Sequence, residues 1–202
     1  MAERRPVAWL IVGINGAGKT TFYEQFLRSK SSAEFVNADE IARARWGDAA
    51  AEHAYDAGRL ADERRHALIE KRASFVTETV FSHPSKLELV RILKARGHRV
   101  HLIYVHVPLP LARRRVETRV ALGGHDVPAE KVRRRYSRVI ANVLAAIPLV
   151  DRAYLYDNSR ADRLHRHVMT FADGRLARII ADSPRWVAQL FPALRATSTR
   201  GR

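Results

Sequence analysis

The run Gly13-Ile14-Asn15-Gly16-Ala17-Gly18-Lys19-Thr20 fills every fixed position of the G-x-x-x-x-G-K-[ST] phosphate-binding pattern. An apolar run, 7–12, stands before it and a stretch of helical composition, 20–28, follows it. The chemistry requires that placing. Glycines let main-chain N–H groups converge on phosphate oxygens, and the next helix points its positive end at them. Lys19 then reaches the β- and γ-phosphates, and the Thr20 hydroxyl ligates Mg²⁺. The pattern predicts a nucleoside-triphosphate site made of Gly13, Asn15, Gly16, Ala17, Gly18, Lys19, Thr20 and Thr21. It also commits the chain to an α/β fold in which a buried parallel strand feeds the loop.

The rest of the chain alternates in the same sense. Segments 34–37, 74–79, 99–107 and 153–156 read as further strands. Helical stretches lie between them: one from about 39 to 72 interrupted near Gly47, one opened by Pro84, one over 109–122, and one opened by Pro128. Asp173-Gly174 between two short apolar runs signals a hairpin, and 184–190 a final short helix. The expected architecture is a three-layer P-loop fold, one domain over 1–202, with a central, mainly parallel five-stranded sheet. A helical, arginine-rich lid takes about 109–138, and a C-terminal β-hairpin and helix about 165–192.

Composition narrows the function classes. With 47 % apolar residues in 202, the chain can bury a sizeable core. It has no cysteine, which removes disulfides, thiolate metal sites and cysteine nucleophiles together. No apolar run is long enough to cross a bilayer, and 7–12 is too short for a signal peptide, so a cytoplasmic location without membrane contact is expected. The net charge of +15 is carried by 30 arginines and 6 lysines. A general Ala/Arg bias explains part of that excess, but Arg113–Arg115, Arg119, Arg133–Arg135 and Arg138 crowd into 26 residues. Tyr136 is the one aromatic near the second cluster, so a small anionic ligand fits at least as well as nucleic acid, which is not favoured.

Several residues carry candidate chemistry. Asp39 follows the second strand, where ligands of an open α/β sheet collect, and can take a proton from an acceptor hydroxyl; the plain alternative is that it caps the next helix. Glu78 and Thr79 leave the third strand on the same edge. Glu78 orders Mg²⁺ or holds a substrate hydroxyl, or is merely a strand-end carboxylate. Arg115 and Arg119 share one helix face, and Arg134 and Arg138 another, as a lid over a triphosphate requires; a solvated basic surface is the alternative. Asn158 contacts the nucleotide base or simply forms a turn, and His98, His101 and His106 read as strand residues rather than metal ligands. No Asn-Lys-x-Asp guanine-reading motif occurs, and the length suits a small-molecule kinase with ATP and Mg²⁺.

The loop GINGAGKTT, then FVNADEIA, FVTETVFS, RRRVETRVALGGHDVPAEKVRRRY and YLYDNS, in that order over about 7–159, resemble the zeta toxin family, most closely its compact bacterial branch. The resemblance implies a nucleotide-kinase-like fold, phosphorylation of the sugar 3′-hydroxyl of UDP-N-acetylglucosamine, and a small antitoxin partner. It gives Lys19 the role of the loop lysine, Asp39 that of catalytic base, and Arg119 that of the first lid arginine. Thr79, with Glu78 beside it, falls near the family's substrate-binding threonine. His125 stands where better-known toxins carry the second lid arginine, so the resemblance leaves that role to His125 or to Arg134. Two other readings stand beside it. One is a kinase of another metabolite, a nucleoside or a polynucleotide 5′-hydroxyl. The other, of a different class, is a nucleotide-dependent binding module.

Overall fold

The computed structural model describes residues 5–121 and 129–192. His125, Gly123-Gly124 and Pro128 of the lid turn, and the tail from Ala196, lie outside the described residues. Strand β1 (Val7–Val12) feeds the phosphate loop, and its Ala8, Leu10, Ile11 and Val12 are 0 % exposed, as a strand covered on both faces requires. It pairs in parallel with β3 (Phe75–Thr79) on one side and with β4 (Arg99–His106) on the other. β2 (Glu34–Val36) lies outside β3 and β5 (Arg152–Asp157) outside β4, both parallel.

Among the described residues the sheet has seven strands, not five, in the order β2-β3-β1-β4-β5-β6-β7. The C-terminal hairpin is not a separate appendage: β6 (Arg166–Ala172) and β7 (Arg175–Ile179) continue the sheet antiparallel to β5. Without β6 the outer backbone groups of β5 would lack strand partners, and β6 in turn buries Val168 and Met169 completely. The turn joining them has positive φ at both Asp173 (48°) and Gly174 (74°), the conformation that an Asp-Gly hairpin turn selects. All five residues of β7 are exposed, and Arg175 and Arg178 blunt this edge against strand addition.

Helix α1 (Lys19–Phe22) runs into a π-helical turn, Tyr23–Leu27, closed by the Arg28 N–H on the Tyr23 carbonyl at 3.0 Å. That wider turn lays Tyr23 flat on Phe35, ring centroids 3.6 Å apart. The long helical stretch after β2 is two helices, α2 (Ala38–Trp46) and α3 (Ala54–Glu70), separated where Gly47 takes φ 53° and a short 3-10 turn follows. Then come α4 (Ser85–Ala95), the lid helices α5 (Leu109–Ala121) and α6 (Ala129–Ala146), and α7 (Arg185–Leu190). One buried apolar cluster extends from Ala8 in β1 to Val187 in α7. Among the described residues no helix is long and apolar enough to cross a membrane.

The chain leaves β1 toward the β2 edge and leaves β4 toward the β5 edge. Ligands of open α/β sheets bind outside the carboxyl ends of strands at such a change of direction, here the end of β1.

Candidate active site

Strand register brings the site together. Val12, the last residue of β1, lies opposite Thr79, and Ile11 lies opposite Glu78. Glu78 therefore emerges beside the phosphate loop, and its carboxylate ties three elements together. The Thr20 hydroxyl donates to Oε2 at 2.7 Å, the Asn37 amide donates to the same oxygen at 2.8 Å, and Lys19 Nζ stands 3.5 Å from Oε1. Lys19 also donates to the Ile14 carbonyl at 3.2 Å and is only 7 % exposed, so its ammonium is held inside the loop.

The two readings of Asp39 are separated by its neighbour. Asn37 caps α2, its Oδ1 accepting the Asp39 N–H at 2.7 Å and the Glu40 N–H at 3.3 Å. With the cap supplied, the Asp39 carboxylate stays exposed in the first turn and lines a cavity of about 490 Å³. Asn15, Lys19, Glu78 and Thr79 line the same cavity. The cap was legible in the sequence as Asn37 followed by Glu40, a polar residue with an acid three positions on.

The lid reaches this cavity through residues one turn apart on α6, Lys131 and Arg135. Arg135 Nη1 donates to Asn15 Oδ1 at 3.0 Å, and burial pushes its guanidinium pKa down from the usual value. Arg134 is exposed on another face and does not line the cavity, so the lid arginine joined to the loop is Arg135. The reason is helical phase: Val132 and Val139 are buried toward the core, and Arg135 follows Val132 by three positions. Arg119 is half-buried in the last turn of α5, outside this cavity. Thr21 is exposed on α1.

The far wall was not legible beforehand. Gly58, Ala61, Asp62 and Arg65 of α3 line the cavity at helical spacing, with Lys86 of α4. Arg65 is 5 % exposed, pairs with Asp62, and donates to Thr77 Oγ1 at 3.2 Å. Lys86 lies 3.4 Å from the same Asp62 carboxylate; burial, aided by the Arg65 charge, pushes its ammonium pKa down. The lining thus carries Lys19, Arg65, Lys86, Lys131 and Arg135 against Asp39, Asp62 and Glu78.

Behind the loop, Asn158 is 3 % exposed and turned inward: its Nδ2 donates to the Ala17 carbonyl at 2.8 Å, and its Oδ1 accepts the His165 N–H at 3.2 Å. His165 Nε2 donates to the Gly18 carbonyl at 2.9 Å. A trans peptide sets its N–H opposite its C=O. Holding the carbonyls of Ala17 and Gly18 from behind therefore aims the N–H groups of Gly18 and Lys19 toward the other side, as a phosphate cradle needs. Asn158 shapes the loop through its amide, which is a different task from contacting a base.

Gly16 has φ 78°, and a Cβ there would collide with the Ala112 carbonyl of α5. Gly16→Ala is expected to cost at least about 1–2 kcal/mol from the left-handed backbone alone, with the collision added. A lowered midpoint in thermal unfolding, accompanied by lost ATP binding, checks it.

The zeta toxin family model matches residues 1–168. The chain belongs to the zeta toxin family. An uncharacterized protein of Haemophilus influenzae is 30 % identical to it over 133 residues, 61 % of this chain and 88 % of that protein. Among solved structures, the AvrRxo1-ORF1:AvrRxo1-ORF2 complex with sulphate ions aligns with a TM-score of 0.71 at 18 % identity, covering 92 % of this chain and 63 % of that one. The same pair crystallised with ATP aligns at 0.65 and 19 % identity, covering 86 % and 60 %. This zeta toxin family member thus spans about three fifths of those chains. The PezAT chromosomal toxin–antitoxin system of Streptococcus pneumoniae aligns at 0.61 and 14 % identity over 100 % of this chain and 90 % of that one. At these identities the likeness shows the fold alone, an α/β fold built on a mostly parallel sheet.

Proposed function

We propose that the protein is an ATP-dependent kinase that moves the γ-phosphoryl group of ATP to a hydroxyl of a small anionic acceptor, with UDP-N-acetylglucosamine the first acceptor to test. The observation that carries this reading is that Lys19 of the phosphate loop and the uncapped carboxylate of Asp39 open onto one cavity. A cavity of about 490 Å³ is within the size range of sites for small molecules, and its cationic excess suits an acceptor bearing phosphate or carboxylate groups.

In this reading the loop amides and Lys19 hold the triphosphate tail. The Thr20 hydroxyl and the Glu78 carboxylate, already 2.7 Å apart, are hard oxygen donors that fit Mg²⁺ at the mouth of the loop. Bound there, Mg²⁺ would neutralise charge on the β- and γ-phosphates. Asp39 accepts the proton of the acceptor hydroxyl as that oxygen bonds to the γ-phosphorus and the bond from phosphorus to the β-bridging oxygen breaks, leaving ADP. Thr79, with Glu78, lies on the acceptor side and helps to place that hydroxyl. Arg135 of the lid, which lines the cavity, stabilises the charge on the transferred group. The family membership and the toxin–antitoxin likeness support a small antitoxin as a partner.

The test is to incubate the protein with γ-labelled ATP, Mg²⁺ and a metabolite extract, alongside pure UDP-N-acetylglucosamine, and to identify the labelled product by mass spectrometry. Label on a nucleotide sugar is expected. Label on oligonucleotide ends alone, or only as free phosphate, overturns the acceptor assignment.

A further inference from the structure

The family match ends at residue 168, yet α7 beyond it is tied to the ends of β4 and β5. Trp186 in α7 is 8 % exposed, and its indole Nε1–H donates to Asp157 Oδ1 at 3.0 Å. Asp157, the last residue of β5, is 2 % exposed, and its other oxygen accepts the Ser159 hydroxyl at 2.8 Å. The Trp186 ring lies on the His106 ring, centroids 4.3 Å apart and planes 21° off parallel. Burial pulls the His106 pKa down to about 4, so its ring is neutral near pH 7, and its Nδ1 shares a hydrogen bond with the Tyr104 hydroxyl at 3.0 Å.

These two contacts bracket Asn158. Its main-chain N–H donates to the His106 carbonyl at 2.9 Å, and it directly follows Asp157 in the chain. Asn158 is the residue that grips the Ala17 carbonyl at 2.8 Å. We infer that Trp186 is a positioning residue of the nucleotide site: through Asp157 and His106 it fixes Asn158, and Asn158 orients the Ala17–Gly18 peptide of the phosphate loop. The inference rests on the nucleotide-binding part of the proposed function. It assigns the C-terminal helix a part in ligand binding although that helix touches no ligand position itself.

The physical reason is the cost of an under-bonded buried carboxylate. Without the indole donor, Asp157 must turn toward another donor, and the next residue turns with it. The Gly18 N–H then loses its fixed direction, and a preorganised cradle becomes one that has to be ordered when ATP binds.

The experiment compares Trp186→Phe with Val187→Ala in the full chain, by calorimetric titration with ATP and Mg²⁺ well below the unfolding temperature, together with thermal unfolding. Phenylalanine keeps a ring to stack on His106 and removes the N–H donor together with part of the ring volume, and the Val187 variant reports what lost packing alone does. Val187 is 2 % exposed on the same helix, so its truncation weakens the packing of α7 without touching Asp157. Trp186→Phe is expected to raise the Kd for ATP roughly tenfold, the size of losing a hydrogen bond to a charged group. Val187→Ala is expected to lower the midpoint of unfolding and leave that Kd unchanged. A wild-type Kd in Trp186→Phe overturns the inference, and so does weakening in both variants in step with their lost stability. If the unaltered protein binds no ATP, the nucleotide-binding reading itself fails and takes the inference with it.

Discussion

Asp39→Asn is expected to abolish phosphoryl transfer and leave ATP binding intact. Asparagine matches the aspartate in volume but cannot take a proton from a hydroxyl at neutral pH, so the acceptor oxygen must attack without help. General-base assistance contributes typically about 10²–10⁴-fold, and a loss of that order in the single-turnover rate is the expected result. Binding survives because the nucleotide cradle lies on the loop, and α2 keeps its start: the cap is Asn37, whose Oδ1 holds the Asp39 and Glu40 N–H groups. The measurement is the rate of label transfer under single-turnover conditions beside the Kd for ATP. A rate within a few-fold of the parent protein would sink the role of Asp39. It would also favour a nucleotide-dependent binding module, in which partner binding persists without this carboxylate.

Arg135→Ala should cost about 10³-fold in turnover, in line with other arginines that stabilise phosphoryl transfer. Its guanidinium is half-buried and bonded to the amide oxygen of Asn15, a neutral group that leaves the positive charge uncancelled. Arginine stays charged at such a site even where burial lowers its pKa. Arg134→Ala, one position earlier, removes an exposed guanidinium and should cost far less. Steady-state kinetics on both variants distinguish the two arginines: equal losses, or a larger loss at Arg134, would reverse the assignment. A moderate rise in KM for ATP with the full effect in kcat would mark an interaction made chiefly in the transition state.

Local patterns made most of the framework readable. The buried run of β1 and the glycine-rich turn after it carry their own geometry, because apolar side chains demand cover and positive φ demands glycine. Asp173-Gly174 announced its hairpin for the same local reason. What the turn cannot say is whether its strands stand apart or extend the main sheet. That depends on the outer edge of β5, a partner distant along the chain, and the sheet accordingly has seven strands instead of five.

The site divides along the same line. Sequence alone determined which chemistry is present: a phosphate loop with Lys19 and Thr20, acids leaving the second and third strands, and arginines on two lid helices. Each of those follows from residue type and short-range spacing. Tertiary structure alone decided which of them meet. The register of β1 against β3 set Glu78 beside Thr20, the cap on Asn37 left Asp39 for the cavity, and the phase of α6 chose Arg135 over Arg134. It also brought Arg65 and Lys86 to the cavity from α3 and α4, and Trp186 of α7 onto Asp157. Such meetings depend on packing between segments far apart in the chain, and no local pattern encodes the distance between them.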